Sequence, residues 1–230
     1  MYDVLPTNLQ QPFQGVLFDF DGTIVDSEAQ HFAAFRQAMD EHGYDFKSVA
    51  DKLHMQGNFR KIFEGVAKEL QLPADMYDQI YQRKMELTLG LRLGDIDLIE
   101  GIVSYLEYLR EQNIPAGIVT NADPEYIQHV LRLHDLDQYF QAIVTPDDHN
   151  EPKPAPDGYL LGASRLQIDP SAALVFENTD TGISAGKAAG MPVIAIRDTD
   201  VQGLSTYEEA DHVMDSFADP VLDDLHYERN

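Results

Sequence analysis

Asp19 and Asp21 stand two residues apart at the end of an apolar run, in the stretch GVLFDFDGTIVDSEAQHF that spans Gly15 to Phe32. On an extended chain such positions project to the same side, so both carboxylates can face one ligand. Carboxylates at the mouth of a buried strand are costly unless something pairs with them or uses them. Gly22 permits a tight turn after Asp21, and Thr23 can bond to neighbouring backbone. Asp-Gly is also a hairpin signal; that accounts for Asp21 and Gly22 but leaves Asp19 as an unpaired acid. A hard cation such as magnesium, which takes oxygen ligands, accounts for both. Asp26 is read as structural.

Three further segments carry groups that suit such a pair. PAGIVT ends at Thr120 and Asn121, a hydroxyl and an amide, although this loop also suits a cap for a helix starting near Pro124. NEPKPAPDGYL holds Lys153 between two prolines, which restrain a side chain that would be freer on an ordinary surface. ALVFENTDTGISAGKAAGM ends a strand at Glu177 and runs into a small-residue helix; close packing at Gly182, Ala185 and Gly186 would give the same pattern. All four sites fall at carboxyl ends of predicted strands, the edge where open parallel sheets bind ligands.

The elements that must position these groups follow from the apolar pattern. Short continuous runs, GVLFDF, PAGIVT, QAIVT, AALVFE and PVIAI with a weaker HVMDS, predict strands covered on both faces. Between them, Ile102, Leu106 and Leu109 share one helical face, and Ile127, Val130 and Leu131 another. The alternation predicts an α/β fold, a parallel-sheet Rossmann-like core with helices on both sides. From the first strand to Gly101 the pattern differs: helices are expected at about 27–42, 58–70 and 75–89, with Ser27 as an N-cap and no convincing strand. That block reads as an inserted α-helical cap domain over 28–93. The core then comprises 13–27 and 94–218, 219–230 is an acidic C-terminal tail, and the crossings near 26–28 and 90–95 are hinges.

Composition limits the partners. The chain has 230 residues, 40 acidic against 16 basic, and a formal net charge of −24. Nucleic acid and anionic membranes are excluded as main partners, because both need clustered Lys and Arg. An anionic ligand must then meet a local cation or a metal ion. There is no cysteine, so thiolate and disulfide chemistry are absent. The opening MYDVLPTNLQQPFQ lacks a basic and apolar leader, and no run approaches a membrane span. A cytoplasmic monomer is the expectation.

The order DxDGT, Thr-Asn, Lys-Pro and an acidic loop before GISAGKAAGM resembles the haloacid dehalogenase (HAD) superfamily over about residues 13–218. The helical insertion resembles the cap of its branch with sugar phosphatases and beta-phosphoglucomutase. The resemblance implies that Asp19 is a nucleophile forming an aspartyl-phosphate and that Asp21 is the general acid and base. It implies that Lys153 stabilises charge and that Thr120 and Asn121 hold phosphoryl oxygens. Magnesium would bind Asp19, the backbone carbonyl of Asp21 and the acidic loop. There the chain departs from its branch, reading Glu177-Asn178-Thr179 where Glu-Asp-Ser is common. Asn178 can ligate through its carbonyl oxygen without charge, and Glu177 is expected as the charged ligand, with Asp180 nearby. His31, Arg60 and Lys84 match basic positions of the cap and are expected at the substrate. The implied activity is a magnesium-dependent phosphatase of a small phosphorylated metabolite, a sugar phosphate foremost. The alternatives are a beta-phosphoglucomutase-like isomerase and a catalytically impaired phosphometabolite-binding protein.

Overall fold

The structure, a computed structural model, describes residues 5–46, 59–197 and 206–228; the side chains of 59–62 are not among those described. Its centre is a six-stranded parallel sheet. In chain order its strands are β1 (Gly15–Phe18), β4 (Ala116–Val119), β5 (Ala142–Val144), β6 (Ala173–Glu177), β7 (Val193–Ile196) and β8 (His212–Met214), the labels β2 and β3 belonging to a separate small ladder. The order across the sheet is β5-β4-β1-β6-β7-β8. All six were expected from their apolar runs. Burial on both faces explains the runs: Val16 and Phe18 enter one hydrophobic cluster, while Leu17 between them enters another.

Helices α4 (Ile102–Gln112) and α5 (Pro124–Leu133) cover the first face, and α6 (Asp157–Leu166) and α7 (Asp180–Ala188) the second. Strand order reverses between β1 and β6, so the crevice at their carboxyl ends is the natural binding position of such a sheet. The loops after β1, β4 and β6 therefore meet there, together with the segment leading into α6.

The insertion holds α1 (Glu28–Glu41), α2 (Phe59–Glu69) and α3 (Ala74–Leu89), close to the expected spans. Phe35, Met39, Phe63, Val66 and Ile80 form a core of their own, with Phe63 and Tyr77 stacked at 4.4 Å between ring centroids. Two features depart from expectation. Val25–Asp26 (β2) pairs antiparallel with Asp97–Leu98 (β3), where no strand was predicted. Two residues per strand are too few for an alternation to be read. The segment from 219, expected as an acidic tail apart from the core, packs on it: a 3-10 turn spans Pro220–Asp224, Leu225 is buried, and Tyr227 bridges to Phe13 while its hydroxyl meets that of Tyr105. Among the described residues no helix is long and apolar enough to cross a membrane.

Candidate active site

Asp19 follows β1 and turns its carboxylate toward Lys153. The Lys153 ammonium donates to Asp19 Oδ1 at 2.5 Å, to the Val119 carbonyl at 2.8 Å and to Glu177 Oε1 at 2.6 Å. Three acceptors match its three protons, so the cation is fixed between the ends of β1, β4 and β6. The cleft above it is lined by Asp19, Asp21, Thr120, Asn121, Lys153 and Asn178, among others. The structure thus brings together residues from four segments that the sequence had singled out.

Glu177 corrects an expectation. It is 0% exposed and does not line the cleft. Oε1 accepts from Lys153 and from the Tyr159 hydroxyl at 3.1 Å. Oε2 accepts from the backbone amides of Asn178 and Thr179 and from the Thr179 hydroxyl. Both oxygens face inward, where Glu177 holds Lys153 and the loop. The expected packing at Gly182 has the same origin: a Cβ there would lie 1.7 Å from Glu177 Oε1. Asp180 also turns away, accepting from the backbone amides of Thr206 and Tyr207.

Asp21 is surrounded differently. Its Oδ1 accepts from Ser27 Oγ at 2.5 Å and from the Tyr126 hydroxyl at 3.0 Å, and lies 3.2 Å from His31 Nε2. Burial alone would raise this carboxyl, but the charge and hydrogen bond of His31, with the Ser27 and Tyr126 bonds, hold it below its usual range. Ser27 occupies the N-cap position of α1 without capping it; its hydroxyl serves Asp21 instead. Tyr126, Tyr159 and this use of Ser27 went unread in the sequence. The signal for Tyr126 was its place in the first turn of the helix that follows Asn121.

The remaining candidates are placed as follows. Thr120 is buried, and its hydroxyl oxygen accepts from the Ala122 amide. His31 is buried on α1, its ring edge-on to Tyr126 at 4.6 Å. Lys84, on α3, is buried and lines a cavity next to the cleft. Arg60 lies in α2, and its side chain is outside the described residues. Asp26 is exposed in β2, opposite Asp97.

The donor set fits a hard divalent cation. Asp19 and Asn178 offer oxygens at the cleft, whose volume of ≈ 50 Å³ exceeds the roughly 10–15 Å³ a water-sized occupant needs. Gly22, at φ +75°, admits Asn178: a Cβ there would lie 1.9 Å from its amide nitrogen. Charge points the same way. Burial and the Glu177 charge push the Asp19 carboxyl up to about 8, against the pull of Lys153. One ammonium under-neutralises these buried carboxylates.

The sequence pattern of the haloacid dehalogenase-like hydrolases matches residues 16–196. The chain is 29% identical to the fructose-1-phosphate phosphatase of Escherichia coli over 82% of its length and 99% of that protein's. It is 28% identical to a phosphorylated carbohydrates phosphatase of Thermotoga maritima, over 77% and 82% of the two chains. In fold it is similar to CbbY of Rhodobacter sphaeroides, solved with xylulose-(1,5)bisphosphate. The TM-score is 0.74 at 24% identity, covering 93% of this chain and 99% of that one.

Proposed function

We propose a reaction from one premise: the chain belongs to the haloacid dehalogenase-like hydrolases. It is a phosphatase, and we assign it small phosphorylated metabolites as substrates, sugar phosphates foremost, with magnesium as cofactor. The observation that carries this reading is the Lys153 ammonium clamped between Asp19, Glu177 and the end of β4 at the floor of the cleft. The similarity to two phosphatases named for phosphorylated sugars supports the substrate class.

Asp19, with Oδ1 anchored by Lys153, attacks phosphorus through its other oxygen. The bond to the sugar oxygen breaks, and an aspartyl-phosphate forms. Lys153 offsets charge on the nucleophile and the transferring group, and Thr120 and Asn121 orient phosphoryl oxygens. Asp21 protonates the leaving oxygen, then takes a proton from the water that opens the intermediate. A dianionic phosphate nearby raises Asp21 by like-charge repulsion, toward the protonated form that the first step needs. Asp19, the Asp21 carbonyl and Asn178 would hold the cation, which supplies charge neutralisation between carboxylate and phosphate when bound.

The test is a panel of sugar monophosphates offered to chelator-treated protein before and after magnesium is restored. Phosphate release that returns with magnesium is expected; no release from any compound overturns the reading. Bisphosphate-stimulated interconversion of glucose 1- and 6-phosphates would establish the mutase instead.

Asn178→Asp gives a separate expectation. A second charged ligand should lower the magnesium concentration for half-activation by about tenfold, because ligand charge tunes hard-cation affinity. Without metal the variant should melt lower than wild type, since it adds a buried carboxylate beside Asp19. Sugar-phosphate binding without turnover, with phosphate release restored by Asn178→Asp, would identify the wild type as the impaired binding protein.

A further inference from the structure

Beside the cleft lies a second cavity, lined by His31, Tyr81, Lys84, Asn121, Asp123 and Asp147 among others. Asn121 and Ala122 line both, so a phosphoryl group over Asp19 would extend its leaving group into this space. The cap supplies one wall, through α1 and α3, and the loops after β4 and β5 supply the other.

The described lining of this cavity is more acidic than basic. Among its described lining residues one ammonium, Lys84, stands against two carboxylates, Asp123 and Asp147. Burial pushes the Lys84 ammonium below its usual range, against the pull of the Asp21 and Asp123 carboxylates. Asp123 occupies the N-cap position of α5, where an aspartate ordinarily bonds its own helix, yet its side chain makes no such bond. Instead Oδ2 accepts from the Tyr81 hydroxyl at 2.6 Å, across the gap between cap and core. The cap thus holds this carboxylate at the edge of the leaving-group space. Asp147 reaches the same space from the exposed turn at Pro146–Asp148.

We propose that Asp123 and Asp147 select the substrate by excluding a second phosphate. The enzyme then prefers monophosphates whose leaving part is uncharged and rich in hydroxyls. Carboxylates repel a phosphate and accept hydrogen bonds from sugar hydroxyls, so the same groups reject one ligand and receive the other. This inference rests on the phosphatase reading of the Asp19 site.

The test measures kcat/KM with magnesium for fructose 1-phosphate and glucose 6-phosphate against fructose 1,6-bisphosphate and glucose 1,6-bisphosphate. The chains compared are wild type, Asp123→Asn, Asp147→Asn and the double variant. Asparagine keeps an acceptor for Tyr81, and Asp147 is exposed, so neither change removes a folding contact. Glu111→Gln, exposed just before β4 at the opposite end of the strands, controls for net charge alone. Wild type should favour monophosphates by about tenfold or more, and the double variant should lose most of that ratio. Glu111→Gln should leave it unchanged. Equal efficiency in wild type, or a ratio unmoved in the double variant, overturns this inference alone. No phosphate from any substrate overturns the phosphatase reading as well.

Discussion

Asp19→Asn is expected to abolish phosphate release, lowering kcat by at least about 10³-fold, because the amide cannot form the aspartyl-phosphate. The same change should leave the metal-free protein at least as stable as wild type. Asp19 shares Lys153 with Glu177, and burial with the Glu177 charge raises its carboxyl from 3.8 to about 8. A carboxyl raised by folding binds more protons in the native than in the unfolded state, so it lowers stability as pH rises through that interval. The asparagine lacks this loss. Metal-free wild type should therefore lose more stability between about pH 4 and 8 than Asp19→Asn, as read by thermal unfolding. Retained turnover would remove Asp19 from the chemistry. A variant that melts well below wild type across that range would show that the carboxylate is adequately neutralised without a cation.

Glu177→Ala is expected to produce the largest loss of stability. It strips an acceptor from Lys153, Tyr159 and the Asn178 amide in the interior, and from the Thr179 amide and hydroxyl at its edge. Removing one partner of a buried ion pair costs about 3–5 kcal/mol, since the other is left poorly compensated. For a chain of this size that is a fall in Tm on the order of 10 °C. Glu177→Gln separates the two roles this residue could have. As an internal clamp it should reduce kcat and stability while the magnesium requirement stays within about threefold of wild type. A magnesium requirement raised by a hundredfold at unchanged Tm would return Glu177 to the ion.

The position of Glu177 shows where sequence reading stopped. Its place after an apolar run put it correctly at the carboxyl edge of a strand, but not the direction of its side chain. That direction depends on Gly182, which leaves the space, and on Lys153 and Tyr159, which arrive from another segment. Asp123 is a similar case. Its place before Pro124 suits a local cap, whereas its actual partner, Tyr81, is 42 residues away in the insertion.

The chain by itself determined the inner sheet strands, because β1, β4, β6 and β7 are buried on both faces and must be apolar nearly throughout, while β8, half-buried at the sheet edge, left only a weaker run. It determined the helices of the insertion through their apolar stripes. It also named the groups that meet at Asp19, because their residue types are costly at a strand end without a use. Tertiary structure alone decided the β2–β3 ladder, too short to leave a periodic trace, and the docking of residues 220–228. It alone decided which carboxylates face the cleft and which are turned inward. Local patterns encode which backbone an element adopts; the partners of a buried polar side chain are set by what the rest of the fold brings within hydrogen-bonding distance.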